Sequence, residues 1–266
     1  MSVLDPLSHA LAAVIATTHA GLTALGADPS GGATWVLCVA AVVVVVRVAL
    51  LPVTVHGVRQ AHAAARARPQ LQALTERYRG RTDRASLQQL ADERRRIAAE
   101  HRLSPWGCLP MLAQLPVWVA LYHLVGTVAG GVPVGAMHSG LVASLGAATV
   151  LGIPLAGRGY LGGGLTHLAV VAGLAGLAAG LSYVTQRYLV APNTVLADAP
   201  TAVARVHQLM PAISAVSLLV FAGAVPVALL VYWVCNSTWT LGQSAVVWWW
   251  FPTPGSPAAI RRGVSA

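Results

Sequence analysis

The residue with the greatest chemical consequence is an arginine placed where hydrocarbon would reject it. The run from Trp35 to Val55 is an apolar stretch of bilayer length with Arg47 near its middle. At about 1.5 Å per residue, Arg47 falls about 18 Å from Trp35 and about 18 Å from Arg59, where a basic segment begins. A guanidinium there keeps its proton, and its placement in lipid costs at least ~2.5 kcal/mol. Snorkelling to an interface would relieve that cost. Leu50, Leu51, Val53 and Val55 continue the apolar run past it, which argues against that escape. Intramembrane charges face a bundle interior or a wet cavity, so the chemistry on offer is electrostatic attraction of something acidic.

Other polar side chains stand in apolar stretches at comparable depth. Gln114 lies about 12 Å from the inner end of its stretch. Ser182, Thr185 and Gln186 sit near the inner end of a later one, and Asn236, Ser237, Thr240 and Gln243 in the last. Asn236, Thr240 and Gln243 follow the spacing i, i+4, i+7, which puts them on one helix face. Hydroxyls alone would mean little, because they often bond their own helix backbone. Amides together with an arginine, all biased to one side, predict a wet groove open to the cytoplasm. No Asp or Glu lies in these stretches to neutralise Arg47.

Parts for catalysis are missing. There is no GxSxG or HExxH pattern and no phosphate loop, and the chain contains no lysine at all. The nine histidines are scattered, and Cys38, Cys108 and Cys235 show no CxxC spacing. No enzymatic activity, cofactor or metal is therefore expected.

The elements that must position these residues are helical spans. The chain has 266 residues, 56% hydrophobic and 9% charged, with a mean hydropathy of +0.66. Soluble chains carry about 25% charged residues, so this composition is that of an integral membrane protein. The net charge of +9 would suit nucleic acid, but its placement does not. Eleven of 17 arginines lie in residues 59–105 and none in 1–46, the bias of a cytoplasmic loop.

In chain order, residues 1–34 form an extracytoplasmic segment whose Leu7, Leu11, Ile15 and Leu22 make an amphipathic stripe over 4–25. That stripe suits an interfacial helix, with a true crossing as the rival reading. The first span covers 35–57. Residues 58–105 read as a basic helical hairpin broken at Pro69, with Asp83 capping its second helix. The second span is 106–129, followed by an extracytoplasmic loop, 130–164, whose apolar piece Leu141–Leu155 reads as a partly interfacial helix. The third span is 165–186, then a cytoplasmic connection at 187–208 and a fourth span of marginal length at 209–224. The fifth span is 226–250, ending at Trp248-Trp249-Trp250, and 251–266 is a cytoplasmic tail. The N-terminus has no basic n-region, which argues against a cleaved signal or transit peptide. The expectation is an all-α integral membrane protein of the bacterial inner membrane. It has five transmembrane helices, a cytoplasmic hairpin between the first two spans, an outside N-terminus and an inside C-terminus.

Four stretches carry a family resemblance. Arg47-Val-Ala-Leu-Leu-Pro52, Pro69-Gln-Leu-Gln-Ala-Leu74, the block from Leu103 to Tyr122 with its Pro-Trp-Gly-Cys-Leu-Pro core, and Tyr232-Trp-Val-Cys-Asn-Ser237 resemble the YidC/Oxa membrane protein insertases. The resemblance covers about residues 35–250, and the short form is similar to actinobacterial members. It implies a five-span fold around a hydrophilic groove that receives the polar segment of a nascent membrane protein and releases its helix sideways into lipid. On that basis Tyr232 joins Arg47, Gln114, Gln186, Asn236, Ser237, Thr240 and Gln243 as groove residues. The hairpin arginines Arg77, Arg79, Arg81, Arg84, Arg94 and Arg95 become candidates for substrate or ribosome contact. Implied partners are nascent membrane proteins, the lipid bilayer, the Sec translocon and the ribosome, with no nucleic-acid function.

The chain departs from the family pattern in places. Val42 to Val46 are all valine where a hydroxyl is common, and Cys235 and Ser237 replace Thr and Asn. Both changes predict a drier groove. An anion transporter or channel using Arg47 is the alternative function.

Overall fold

The computed structural model describes residues 5–104, 109–160, 163–195 and 201–263. Pro105, Trp106 and Cys108, at the expected start of the second span, lie outside them, as does 196–200 of the expected 187–208 connection. The architecture is all-α. Its helices are α1 (Asp5–Ala24), α2 (Gly32–Ala49), α3 (Leu51–Arg77), α4 (Arg84–Glu100) and α5 (Leu109–Ala129). Then follow α6 (Ser139–Ala147), α7 (Gly164–Val184), α8 (Thr201–Ala222), α9 (Val227–Trp250) and α10 (Pro257–Arg261). A two-residue hairpin, β1 (Thr149–Val150) with β2 (Ile153–Pro154), is the only sheet among the described residues.

Among the described residues, three helices are long and apolar enough to cross a membrane: Gly32–Ala49, Gly164–Asn193 and Ala204–Ala222. α9 has 24 residues, also a membrane-spanning length, but Asn236, Thr240 and Gln243 dilute its hydropathy. Its N-terminal part is the axis of the core, with every residue from Val227 to Trp233 buried. Val42 of α2, Leu124 of α5 and Val171 of α7 join the same cluster. α7 presents Ala175, Ala178 and Ala179 to its neighbours, small residues that let backbones approach closely where lipid supplies no hydrophobic push.

The first N–H groups of α9 have no partner within their own helix. Val227 and Ala228 instead donate to the carbonyls of Gly157 and Leu155, each at 2.9 Å. The loop between α6 and α7 thus caps the central helix. The β1–β2 turn in turn sits on the start of α2. A Cβ on Gly32 would come within 1.9 Å of the Thr149 carbonyl oxygen, so only glycine fits there.

Several sequence expectations are corrected. The first span is not one straight helix, because α2 ends at Leu50 (φ −88°, ψ 0°) and α3 starts with Pro52 in its first turn. Proline has no N–H to give the preceding turn, which bends the helix just after Arg47. Pro69 does not break the following segment, since α3 runs through it to Arg77. Pro69 is exposed, so water can satisfy the carbonyl its missing N–H leaves open. Leu141–Leu155 is not a single helix but α6 followed by the β1–β2 hairpin, turning at Gly152 with φ +80°.

The helical ends also extend beyond the apolar stretches. α7 continues through a wide π-type turn, Thr185–Val190, and a 3-10 turn to Asn193. α8 begins at Thr201 and is 22 residues long, so the helix that holds the expected fourth span is not short. Apolar composition marks where lipid would end, whereas helix hydrogen bonding continues through Arg187 and Arg205.

α1 lies against α2 and α5, burying Leu11 and Ile15 as its stripe predicts, but also Ser8 and His19. His19 bonds the Pro29 carbonyl through Nε2 at 2.8 Å and sits 4.9 Å from the Trp35 ring, which accounts for its burial. α3 and α4 run side by side in opposite directions. His101 Nε2 and Gln70 Oε1 are 3.1 Å apart, and the Tyr78 hydroxyl donates to Glu93 at 3.2 Å. Asp83 caps α4 by accepting from the Ser86 N–H at 2.8 Å, and this bond holds its carboxyl below the usual range.

Candidate functional site

Arg47 occupies the last turn of α2, half-buried and turned toward α9. Its Nε donates to Asn236 Oδ1 at 3.1 Å, and its Nη2 donates to the same oxygen at 2.8 Å and to Thr240 Oγ1 at 2.7 Å. Asn236 and Thr240 reach it together because they are one helical turn apart on α9. Three of five guanidinium hydrogens are thereby used. The Nη1 hydrogens have no partner among the described residues. Neither ion pair among those residues, Arg79–Glu76 and Arg95–Asp92, involves Arg47. A permanent charge is held in place by neutral acceptors.

That charge lines a cavity of about 690 Å³, bounded by α2, α3, α5, α9 and the turn after α7. Gln114, Tyr232, Asn236 and Gln243 share it with Arg47. Gln243 is partly engaged, since its Oε1 accepts from Trp239 Nε1 at 3.0 Å. The lining also holds apolar side chains, among them Leu50, Val53, Leu115 and Trp118. The polar part of this lining can solvate a polar or acidic group, and the apolar part can take an aliphatic chain.

Gln186, Ser237 and Thr240 do not line this cavity. They belong to a second one of about 380 Å³ between α7, α8 and α9, with Ser182, Thr185 and Ser214. Gln186 Nε2 donates to Ser214 Oγ at 2.7 Å. Asn236 and Val190 border both spaces, so the polar interior has two compartments meeting at Asn236. The π-type turn at Thr185–Val190 feeds both. Widened turns of this kind are rare and common at functional sites.

The sequence reading missed several contributors. Asn193, assigned to a connection, borders the larger cavity, and its Oδ1 accepts from the Thr253 N–H at 2.7 Å. Ser214 and Ser217 stand three residues apart on α8, a pattern that could have flagged the second compartment. Arg77, Arg79, Arg81, Arg84, Arg94 and Arg95 are all exposed on α3, α4 and their link. They are not gathered into one site. Arg79 pairs with Glu76 at 2.9 Å, Arg81 lies 5.5 Å from the Tyr78 ring, Arg94 donates to Thr75 at 3.3 Å and Arg95 pairs with Asp92 at 3.3 Å.

The family described as "60Kd inner membrane protein" matches residues 27–251. A membrane protein insertase YidC of Streptomyces avermitilis is 31% identical over 243 residues, covering 88% of this chain and 55% of that protein. This chain therefore spans only about half of that relative's length. The YidC of Bifidobacterium longum is 25% identical over 266 residues, covering 98% of this chain and 79% of its own. That of Mycobacterium tuberculosis is 28% identical over 264 residues, covering 82% and 66% respectively.

Proposed function

The chain belongs to the 60Kd inner membrane protein family, that of the YidC insertases, and from this premise we propose that it inserts nascent membrane proteins into the bacterial inner membrane. In this reading α2 with the start of α3, α5, α7, α8 and α9 cross the bilayer. The N-terminus and the α6–α7 loop lie outside, and the α3–α4 hairpin and the tail lie in the cytoplasm. The positive-inside bias of the arginines supports that orientation.

Moving a polar segment across about 30 Å of hydrocarbon is costly because backbone and charges lose water. A polar cavity reaching to mid-membrane shortens the dry path. One observation carries this reading. Arg47 is fixed by Asn236 and Thr240 on the cavity wall, with no acidic partner among the described residues. Its unused donors and net charge are available to an acidic leading segment. Gln114, Tyr232 and Gln243 extend the same wall, while Gln186, Ser237 and Thr240 furnish a hydroxyl- and amide-lined side chamber. The substrate's own apolar helix then leaves against Leu115 and Trp118, driven by burial at ~25 cal/mol per Å². No bond is made or broken. The exposed hairpin arginines would meet the substrate, the ribosome or the Sec translocon first.

Reconstitution in proteoliposomes tests the reading. Arg47→Ala should abolish insertion of single-span substrates with acidic leading segments, and Arg47→Lys should keep most of it. Full insertion by Arg47→Ala would overturn the electrostatic mechanism. Arg47-dependent anion flux without insertion would establish a channel instead.

A further inference from the structure

A third cavity, of about 680 Å³, lies on the other side of α3 from the Arg47 cavity, between α3 and α9. Thr54, Val58, Gln243 and Val247 form the wall between the two spaces. Its lining is ordered along the helices. Leu51 and Trp239 stand at the end toward mid-membrane, Val55 and Val246 follow, and Arg59 and His62 stand at the end toward the hairpin. From Leu51 to His62 the rise along α3 is about 16 Å. Polar capacity inside is small, because the Gln243 oxygen is already taken by Trp239. At the charged end His62 Nε2 and the Phe251 carbonyl oxygen are 3.1 Å apart, which ties the start of the tail to α3. Arg59 is exposed and makes no hydrogen bond or ion pair among the described residues.

We propose that this cavity is a binding site for an anionic phospholipid, with its acyl chain between α3 and α9 and its phosphate on Arg59. The proposal rests on the membrane orientation given above. Charge complementarity selects the occupant. An unpaired guanidinium at the cytoplasmic mouth of an interhelical apolar slot matches a phosphate ester on an acyl chain. An extended peptide would leave its backbone N–H and C=O groups unpaired against these walls. A free phosphate would not use the apolar two-thirds of the slot. The lipid would stand behind the wall of the Arg47 cavity and hold α3 against α9.

Native mass spectrometry of the full chain, purified in detergent and incubated with phosphatidylglycerol or phosphatidylcholine of equal chain length, tests it. Phosphatidylglycerol should be retained in preference. Arg59→Gln should lower that retention by about fivefold, the effect of one cation beside an anionic headgroup. Val246→Trp, which fills the slot without touching Arg59, should lower it as well, and Arg81→Gln on the hairpin should not. Equal retention of the two lipids, or an equal loss in Arg81→Gln and Arg59→Gln, would overturn the site. A change of oligomeric state in Val246→Trp with lipid retention intact would also overturn it, by making the slot a protein interface. Arg47→Ala should keep its lipid and lose insertion. Normal insertion by that variant would sink the groove mechanism and leave the lipid site standing.

Discussion

Replacing Asn236 by leucine, nearly its isostere, should expose how the membrane charge is tolerated. Asn236 Oδ1 takes hydrogen bonds from Arg47 Nε at 3.1 Å and Nη2 at 2.8 Å, leaving only Thr240 at 2.7 Å if it is lost. Hydrogen bonds to a charged group contribute about 1.5–3 kcal/mol each. These two share one acceptor and the site is half open to water, so the combined loss should be about 2 kcal/mol. At about 2–4 °C per kcal/mol, unfolding should shift down by about 4–8 °C. The eight tryptophans make fluorescence-detected unfolding in micelles a suitable assay. Arg47→Leu combined with Asn236→Leu removes both the charge and its acceptor, and apolar replacement of a buried polar pair is often neutral or stabilising. The double variant should therefore recover most of the lost stability yet insert nothing. Unfolding of Asn236→Leu at the wild-type temperature would refute this reasoning. So would a double variant less stable than Asn236→Leu.

Three further outcomes follow from local geometry. Gly32→Ala forces a Cβ to 1.9 Å from the Thr149 carbonyl and should cost about 1–3 kcal/mol, seen as lower thermal stability with the groove sequence intact. Gln186→Leu removes the 2.7 Å bond to Ser214 and should slow insertion of strongly polar segments more than weakly polar ones, measured in proteoliposomes. The Asp83 carboxyl titrates below its unfolded value because it accepts from the Ser86 N–H, so its cap is present above about pH 4 and is lost as pH falls through the lowered value. Amide exchange at Ser86, corrected for intrinsic rate, should show protection vanishing in that acid range, and Asp83→Ala should lack it at neutral pH.

The Arg47 cavity was legible because depth along a helix is a linear count. Gln114 could be set near the depth of Arg47, and Asn236 and Gln243 on one helix face, from spacing alone, and these four line one cavity. The second compartment was not legible, because it depends on which faces of α7 and α8 meet, and that is a tertiary choice. Gln186, Ser237 and Thr240 were thus grouped with the rest although they open elsewhere. Helix ends were misread where composition changed but hydrogen bonding did not, as at Arg187 and Arg205. The bend at Leu50 was signalled by Pro52, whereas Pro69 gave the same signal and produced no break. The difference lies in surroundings, which sequence does not display. Contacts of the tail, such as Thr253 with Asn193, join segments 60 residues apart and left no local pattern.

Site-specific photocrosslinking of a stalled single-span nascent chain tests the central claim most directly. With the probe at positions 114 and 243, on the Arg47 cavity, the acidic leading segment should crosslink strongly. With it at 177 or 220, on exposed apolar faces of α7 and α8, that segment should not. Strong crosslinking at 177 or 220 and none at 114 or 243 would contradict a polar groove as the path of insertion.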